Sequence, residues 1–126
     1  VHRSLRSGAR VRFPGDLVIF GDVNPGAEVV ADGSIVVLGT LRGLAHAGAR
    51  GDEAATVLAL SLRPANLRIA NRQAALPFDH EHGRPPGLLE RLRPERGTHR
   101  GMTPEVARIV DGQIVVEDYG GRAVAR

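Results

Sequence analysis

A small residue recurs at every sixth position from Gly15 onward: Gly15, Gly21, Ala27, Gly33, Gly39, Ala45 and Gly51. The same register pairs two stretches, GDLVIFGDV from Gly15 and GSIVVLGTL from Gly33, so three six-residue steps make one repeat. Short apolar runs between regularly spaced small residues are what a triangular coil requires. Each side is a brief strand, and each corner needs a residue that tolerates a sharp turn or close backbone approach. Stacked coils let each strand pair with its equivalent in the next, which satisfies the backbone without hairpins. With aromatic residues at only 3%, such a core must be built from Val, Ile, Leu and Ala. The expected fold is all-β: a three-sided parallel β-helix, or β-solenoid, of about three to four short coils with a C-terminal capping strand.

Strand parity assigns the faces. Leu17 and Ile19 lie on one face of their strand and Val18 and Phe20 on the other. One repeat later Ile35 and Val37 stack on the first pair, Val36 and Leu38 on the second. Both faces are apolar, yet only one can fill the interior. An apolar outer sheet is seldom left open in water, so Val18, Phe20, Val36 and Leu38 are expected to form a protein interface, most simply of a two-fold homodimer. The next side is amphipathic, with Val23, Ala27 and Val29 inward and Asp22, Asn24, Glu28 and Asp32 polar around the Pro25-Gly26 turn. In the second coil Leu41, Ala45 and Ala47 point inward and Arg42 and His46 outward.

The six-residue spacing fails in the third coil, where Val57 occupies the next small-residue slot within Thr56 to Leu62. The expected organisation is a solenoid core over 1–70, a Pro- and Arg-rich linker or mobile insertion over 71–103, and a strand or cap of the same domain over 104–126. The linker contains Pro77, Pro85, Pro86 and Pro94, with Leu88, Leu89 and Leu92 as a possible helical turn. After Pro104, the Asp111-Gly112 turn between apolar runs predicts a final strand or hairpin that protects the solenoid edge.

Several functions are disfavoured. The net charge is only +3 and stacking aromatics are scarce, which argues against a nucleic-acid partner. Cysteine is absent, which excludes disulfides, thiolate catalysis and cysteine-ligated zinc and fits a cytoplasmic location. No apolar run approaches the roughly 20 residues that span a bilayer, and no charged-then-apolar leader opens the sequence. Membrane association is therefore expected only through a partner or a further segment. A hexapeptide-repeat acyltransferase is the enzymatic alternative, with His46 as general base, but the repeat does not persist. A bactofilin-like structural solenoid would need a longer regular repeat. His80 and His82 in the DHEH tetrad lack the further ligands of a closed metal site. No catalytic residue, cofactor or metal is expected.

The segments RSG (Arg6 to Gly8), GDLVIFGDVNPGAEVVADG (Gly15 to Gly33), IVVLGTLRGLAHAG (Ile35 to Gly48) and GDE (Gly51 to Glu53) together resemble the MinC C-terminal domain family, as does PEVARIVDGQIVVE (Pro104 to Glu117). The resemblance covers residues 6–70 and 104–118. It implies a right-handed coil, dimerisation through a hydrophobic side, binding to the membrane-associated ATPase MinD, and restraint of the tubulin-like protein FtsZ, with possible contact to the FtsZ C-terminal tail. Such a protein is cytoplasmic and is recruited to the inner face of the membrane by MinD. Carried over by position, Arg6, Ser7, Gly8, Asp22 and Glu28 are the implied MinD-binding residues. The sequence departs from the family at Ala9, where Gln is common, and at Leu44, where a basic residue is frequent.

Overall fold

A computed structural model describes residues 2–74 and 103–119. All regular structure among them is β. The strands are β1 (Arg10–Phe13), β2 (Leu17–Ile19), β3 (Glu28–Ala31), β4 (Ile35–Leu41), β5 (Leu44–Ala47), β6 (Val57–Leu62), β7 (Asn66–Ile69), β8 (Arg72–Gln73), β9 (Glu105–Val110) and β10 (Gln113–Asp118).

Three ladders make the prism. On the first side β2, β4 and β6 pair in parallel, with Leu17, Ile35 and Val57 in one row and Ile19, Val37 and Ala59 in another. The second side is narrow: Leu5 bridges Val23, Val23 bridges Leu41, and Leu41 pairs with Leu62. On the third side β1, β3, β5 and β7 run parallel and stack Val11, Val29, Ala45 and Leu67. These rows form one continuous apolar core, with Ile19, Val23, Val29, Ile35, Val37, Leu41, Ala45, Val57, Leu62, Leu67 and Ile69 fully buried. The branched and straight aliphatic side chains suit short pleated strands that meet at a narrow axis. β4 serves two sides by bending at Gly39, where its register against β6 shifts. A Cβ on Gly39 would collide with the Gly21 carbonyl of the coil beside it, so a larger residue forces the coils apart.

The expected register holds for Leu17 on Ile35 and Val18 on Val36, but not everywhere. A strict 18-residue repeat would stack Ala27 on Ala45, whereas Ala45 pairs with Val29 and Glu28 with Leu44. The turn after Leu41 contains only Arg42 and Gly43, shorter than its counterpart Asn24 to Ala27. A Cβ at Gly43 would lie 2.5 Å from the Ala27 carbonyl and 2.6 Å from that of Asn24, so the shortened turn demands glycine. The slip is even-numbered, so parity survives and Ala45 and Ala47 are buried as expected. The following coil is longer, with Ser34 and Thr56 equivalent at a separation of 22 residues.

The solenoid also starts before the first recognised repeat. Leu5 and β1 form a partial coil ahead of Gly15, and Arg10 sits on Glu28 in the 18-residue register. At the other end β8 folds back antiparallel on β7, and β9 and β10 form a hairpin through Asp111-Gly112. β9 then pairs antiparallel with β6 and buries Ala107, which covers the edge of the last coil. Leu88, Leu89, Leu92 and the DHEH tetrad lie outside the described residues.

Candidate protein-interaction surfaces

The outer face of the first side is apolar along several strands. Val18 is 38% exposed, Phe20 46% and Leu38 38%, and Val36 is half-buried between its neighbours. The same rows continue through half-buried Leu58 and Leu60 on β6 and Val106 on β9, which pairs with Leu58. These three were not singled out from the sequence, although the alternation in Val57 to Leu62 carries the signal for the first two. Val106 is placed there only by the antiparallel return of β9. The face is bounded by the His2 ring stacked on Phe20 at 4.8 Å, and by an Arg108–Glu117 ion pair at 2.8 Å. An apolar centre within a polar rim has the layout of a protein interface.

The other cluster of expected residues lies at the corner joining the second and third sides, across the prism from the apolar face. Arg6, Ser7 and Gly8 are exposed in the turn between Leu5 and β1. That turn closes with the Ala9 amide donating to the Arg6 carbonyl at 2.9 Å and stacks directly on the Asn24 to Ala27 turn. The Gly8 amide donates to the Gly26 carbonyl at 3.0 Å, and the Asn24 amide to the Leu5 carbonyl at 3.0 Å. Gly26 has φ +90, and a Cβ there would strike Ser7. The corner is consequently held close in backbone while the Arg6 side chain remains free to reach outward.

The acids divide. Glu28 stands beside this corner, where its Oε1 accepts from Arg10 Nε at 3.3 Å. Asp22 instead directs Oδ1 at the Thr40 amide of the next coil, 2.8 Å away. It belongs to a recurring device in which a corner oxygen accepts the backbone N–H one coil on. The Ser4 hydroxyl accepts from Asp22 N at 2.9 Å, Asp16 from Ser34 N at 2.8 Å, and Ser34 from Thr56 N at 3.0 Å. Asp22 is thus a structural strut, whatever else it contacts.

His46 is also engaged: its Nε2 donates to the Ala70 carbonyl at 2.9 Å, which fixes the ring against the turn after β7. Among the described residues no group of three or more His, Cys, Asp or Glu is placed to hold a metal. No helix among them is long and apolar enough to cross a membrane.

Residues 1–119 match the family described as septum formation inhibitor MinC, C-terminal domain. The sequence is 50% identical over 119 residues to a probable septum site-determining protein MinC of Heliobacterium modesticaldum, covering 94% of this chain and 35% of that protein. It is 44% identical over 117 residues to the corresponding protein of Persephonella marina, covering 93% of this chain and 50% of that one. The chain thus spans about a third to a half of these relatives. Its structure is similar to a chain of the MinC:MinD cell division protein complex of Aquifex aeolicus, with a TM-score of 0.74 at 38% identity, covering 96% of this chain and 85% of that chain.

Proposed function

The chain belongs to the septum formation inhibitor MinC C-terminal domain family, and from that premise we propose that it is the dimerising and MinD-binding module of a bacterial division inhibitor. Through MinD it is brought to the inner face of the membrane, where it helps keep FtsZ from assembling at the wrong place, in part through the FtsZ tail. It works by binding and not by catalysis. The observation that carries this reading is the separation of two surfaces on one rigid prism. The apolar face of Val18, Phe20, Val36 and Leu38 suits a second copy, and the Arg6-Ser7-Gly8 corner on the far edge suits a different partner. Both can be occupied at once.

Arg6 supplies a planar donor able to engage a partner carboxylate through two bonds, and the rigid Ser7-Gly8 turn fixes where it starts. Glu28 beside the corner is paired with Arg10 and would exchange that partner for a cation of MinD, while Asp22 braces the neighbouring corner, between the first and second sides. Light scattering after size exclusion, alone and with purified MinD and ATP, tests the proposal. The expected result is a dimer of the 13.4 kDa chain that enters a larger species only when MinD and ATP are both present. Arg6→Ala is expected to weaken that species and leave the dimer intact. A trimer indifferent to MinD would reject the proposal and direct attention to acyl-CoA chemistry.

A further inference from the structure

Each end of a solenoid exposes edge strands, and such edges pair with other chains unless something guards them. At the first end β1 is guarded, because Arg10 and Arg12 point outward and a second copy would bring arginine onto arginine. Beyond the last coil the terminal edge of the first side is β10. The two-residue turn makes Val110 and Gln113 a hydrogen-bonded pair, and the alternation that follows directs the N–H and C=O of Gln113, Val115 and Glu117 to β9. The Tyr119 amide, donating to the Pro104 carbonyl at 2.8 Å, keeps the same phase. Ile114, Val116 and Asp118 therefore aim their backbone groups away from β9, and among the described residues nothing bonds them.

The strand is complementary to itself. Turned about a two-fold axis at Val115, it sets Val115 on its own copy, Ile114 on Val116 and Gln113 on Glu117, with no like charges opposed. Ile114 and Val116 then meet as a hydrogen-bonded pair, which is the phase that their outward backbone groups require.

Charge selects this register over its neighbours. Neither exposed Asp118 nor exposed Arg72 joins an ion pair among the described residues. The Arg72 guanidinium lies beside Gly112, with Nη2 3.7 Å from where a Cβ would stand. In the register centred on Val115, Asp118 falls opposite Gly112 of the second copy and so beside that copy's Arg72, and the axis repeats the contact. A slip of two residues either sets Asp118 against Ile114 or brings Glu117 against Asp111.

We propose that β10 is a self-association edge, separate from the apolar face, that pairs antiparallel with β10 of another copy through Ile114, Val116 and two Asp118–Arg72 ion pairs. The pairing does not depend on MinD. It makes one continuous sheet of two and joins their apolar outer faces at Val115. Face and edge contacts use different two-fold axes, so together they link copies into an open chain and not a closed dimer. An edge of six residues buries little surface, so the contact forms at high protein density and not in dilute solution.

The sequence has no cysteine, which suits disulfide capture. Val115→Cys, in the parent chain and in a Val36→Asp background that removes the face contact, should give a covalent dimer under mild oxidation of concentrated protein. Directly opposed, non-hydrogen-bonded antiparallel residues approach to about 4.5 Å between Cα atoms, within disulfide reach. Gln113→Cys should be captured at least tenfold more slowly, since its two copies stand four residues, roughly 14 Å, apart along the strands. Equal capture at both positions, no capture at Val115→Cys, or capture that vanishes with Val36→Asp would each overturn the proposal. Charge exchange gives a second readout in the Val36→Asp background. Asp118→Arg alone and Arg72→Asp alone each oppose like charges across the axis, whereas a mixture of the two variants makes both contacts attractive. Sedimentation at high concentration and low salt should show the mixture associating about tenfold more tightly than either variant alone. A mixture no tighter than its components would overturn the proposal as well.

Discussion

The Asp22 carboxylate accepts the Thr40 amide, so removing it leaves a half-buried N–H without its partner. Asp22→Ala is expected to lower stability by about 1–2 kcal/mol in urea unfolding. Asp22→Asn, whose amide oxygen can still accept, should stay within about 0.5 kcal/mol of the parent. If Asp22→Asn nevertheless weakens MinD binding, the charge contacts the partner; unchanged binding makes Asp22 a strut alone. Ala70 presents the opposite case, a side chain in a conformation that costs energy. Its φ of 54 is in the left-handed region, and its carbonyl is held by His46. Ala70 is also buried in the core, so Ala70→Gly relieves the strain but loses a buried methyl worth about 0.8 kcal/mol and adds freedom to the unfolded chain. The terms nearly cancel, and thermal melting should show a change within about 0.5 kcal/mol; a loss well above about 1 kcal/mol would mean that packing outweighs strain at this turn.

β9 is the element that closes the solenoid, because it covers the β6 edge and seats Ala107 in the core. Ala107→Asp places a carboxylate where no partner can reach it, and the hairpin is expected to detach before it tolerates the buried charge. Hydrogen exchange should then rise at the β6 amides while β3 and β5 remain protected. Uniform loss of protection would show that β9 is integral to the whole fold and not a separable cap. The hairpin itself was legible in the sequence, because Asp111-Gly112 between apolar runs is a strong turn signal. Its destination was not, since the partner strand is remote in sequence and nothing local encodes that pairing.

At the scale of the whole molecule, the two surfaces oppose each other across the prism and should fail independently. Val36→Asp, in the middle of the apolar face, is expected to yield a folded monomer by sedimentation with an unchanged β-type circular dichroism spectrum. On a surface dense in MinD that monomer should bind at least tenfold more weakly than the dimer, because avidity is lost. Its affinity for MinD in solution, measured per site, should not change. Loss of the fold in Val36→Asp would contradict its place on the outer face. The sequence by itself determined the solenoid, the inward and outward rows of its first side, and the turns at Pro25-Gly26 and Asp111-Gly112. These follow from local spacing and parity, and parity is unaltered by the two-residue slip at Gly43. Only the tertiary structure decided how the third coil stacks. Leu5, Val23 and Leu41 keep the 18-residue spacing along the second side, but the turn shortened at Gly43 and the residues added before Val57 shift every later position, so Leu41 pairs with Leu62, 21 residues on. Backbone hydrogen bonds between coils, not spacing along the chain, set that register.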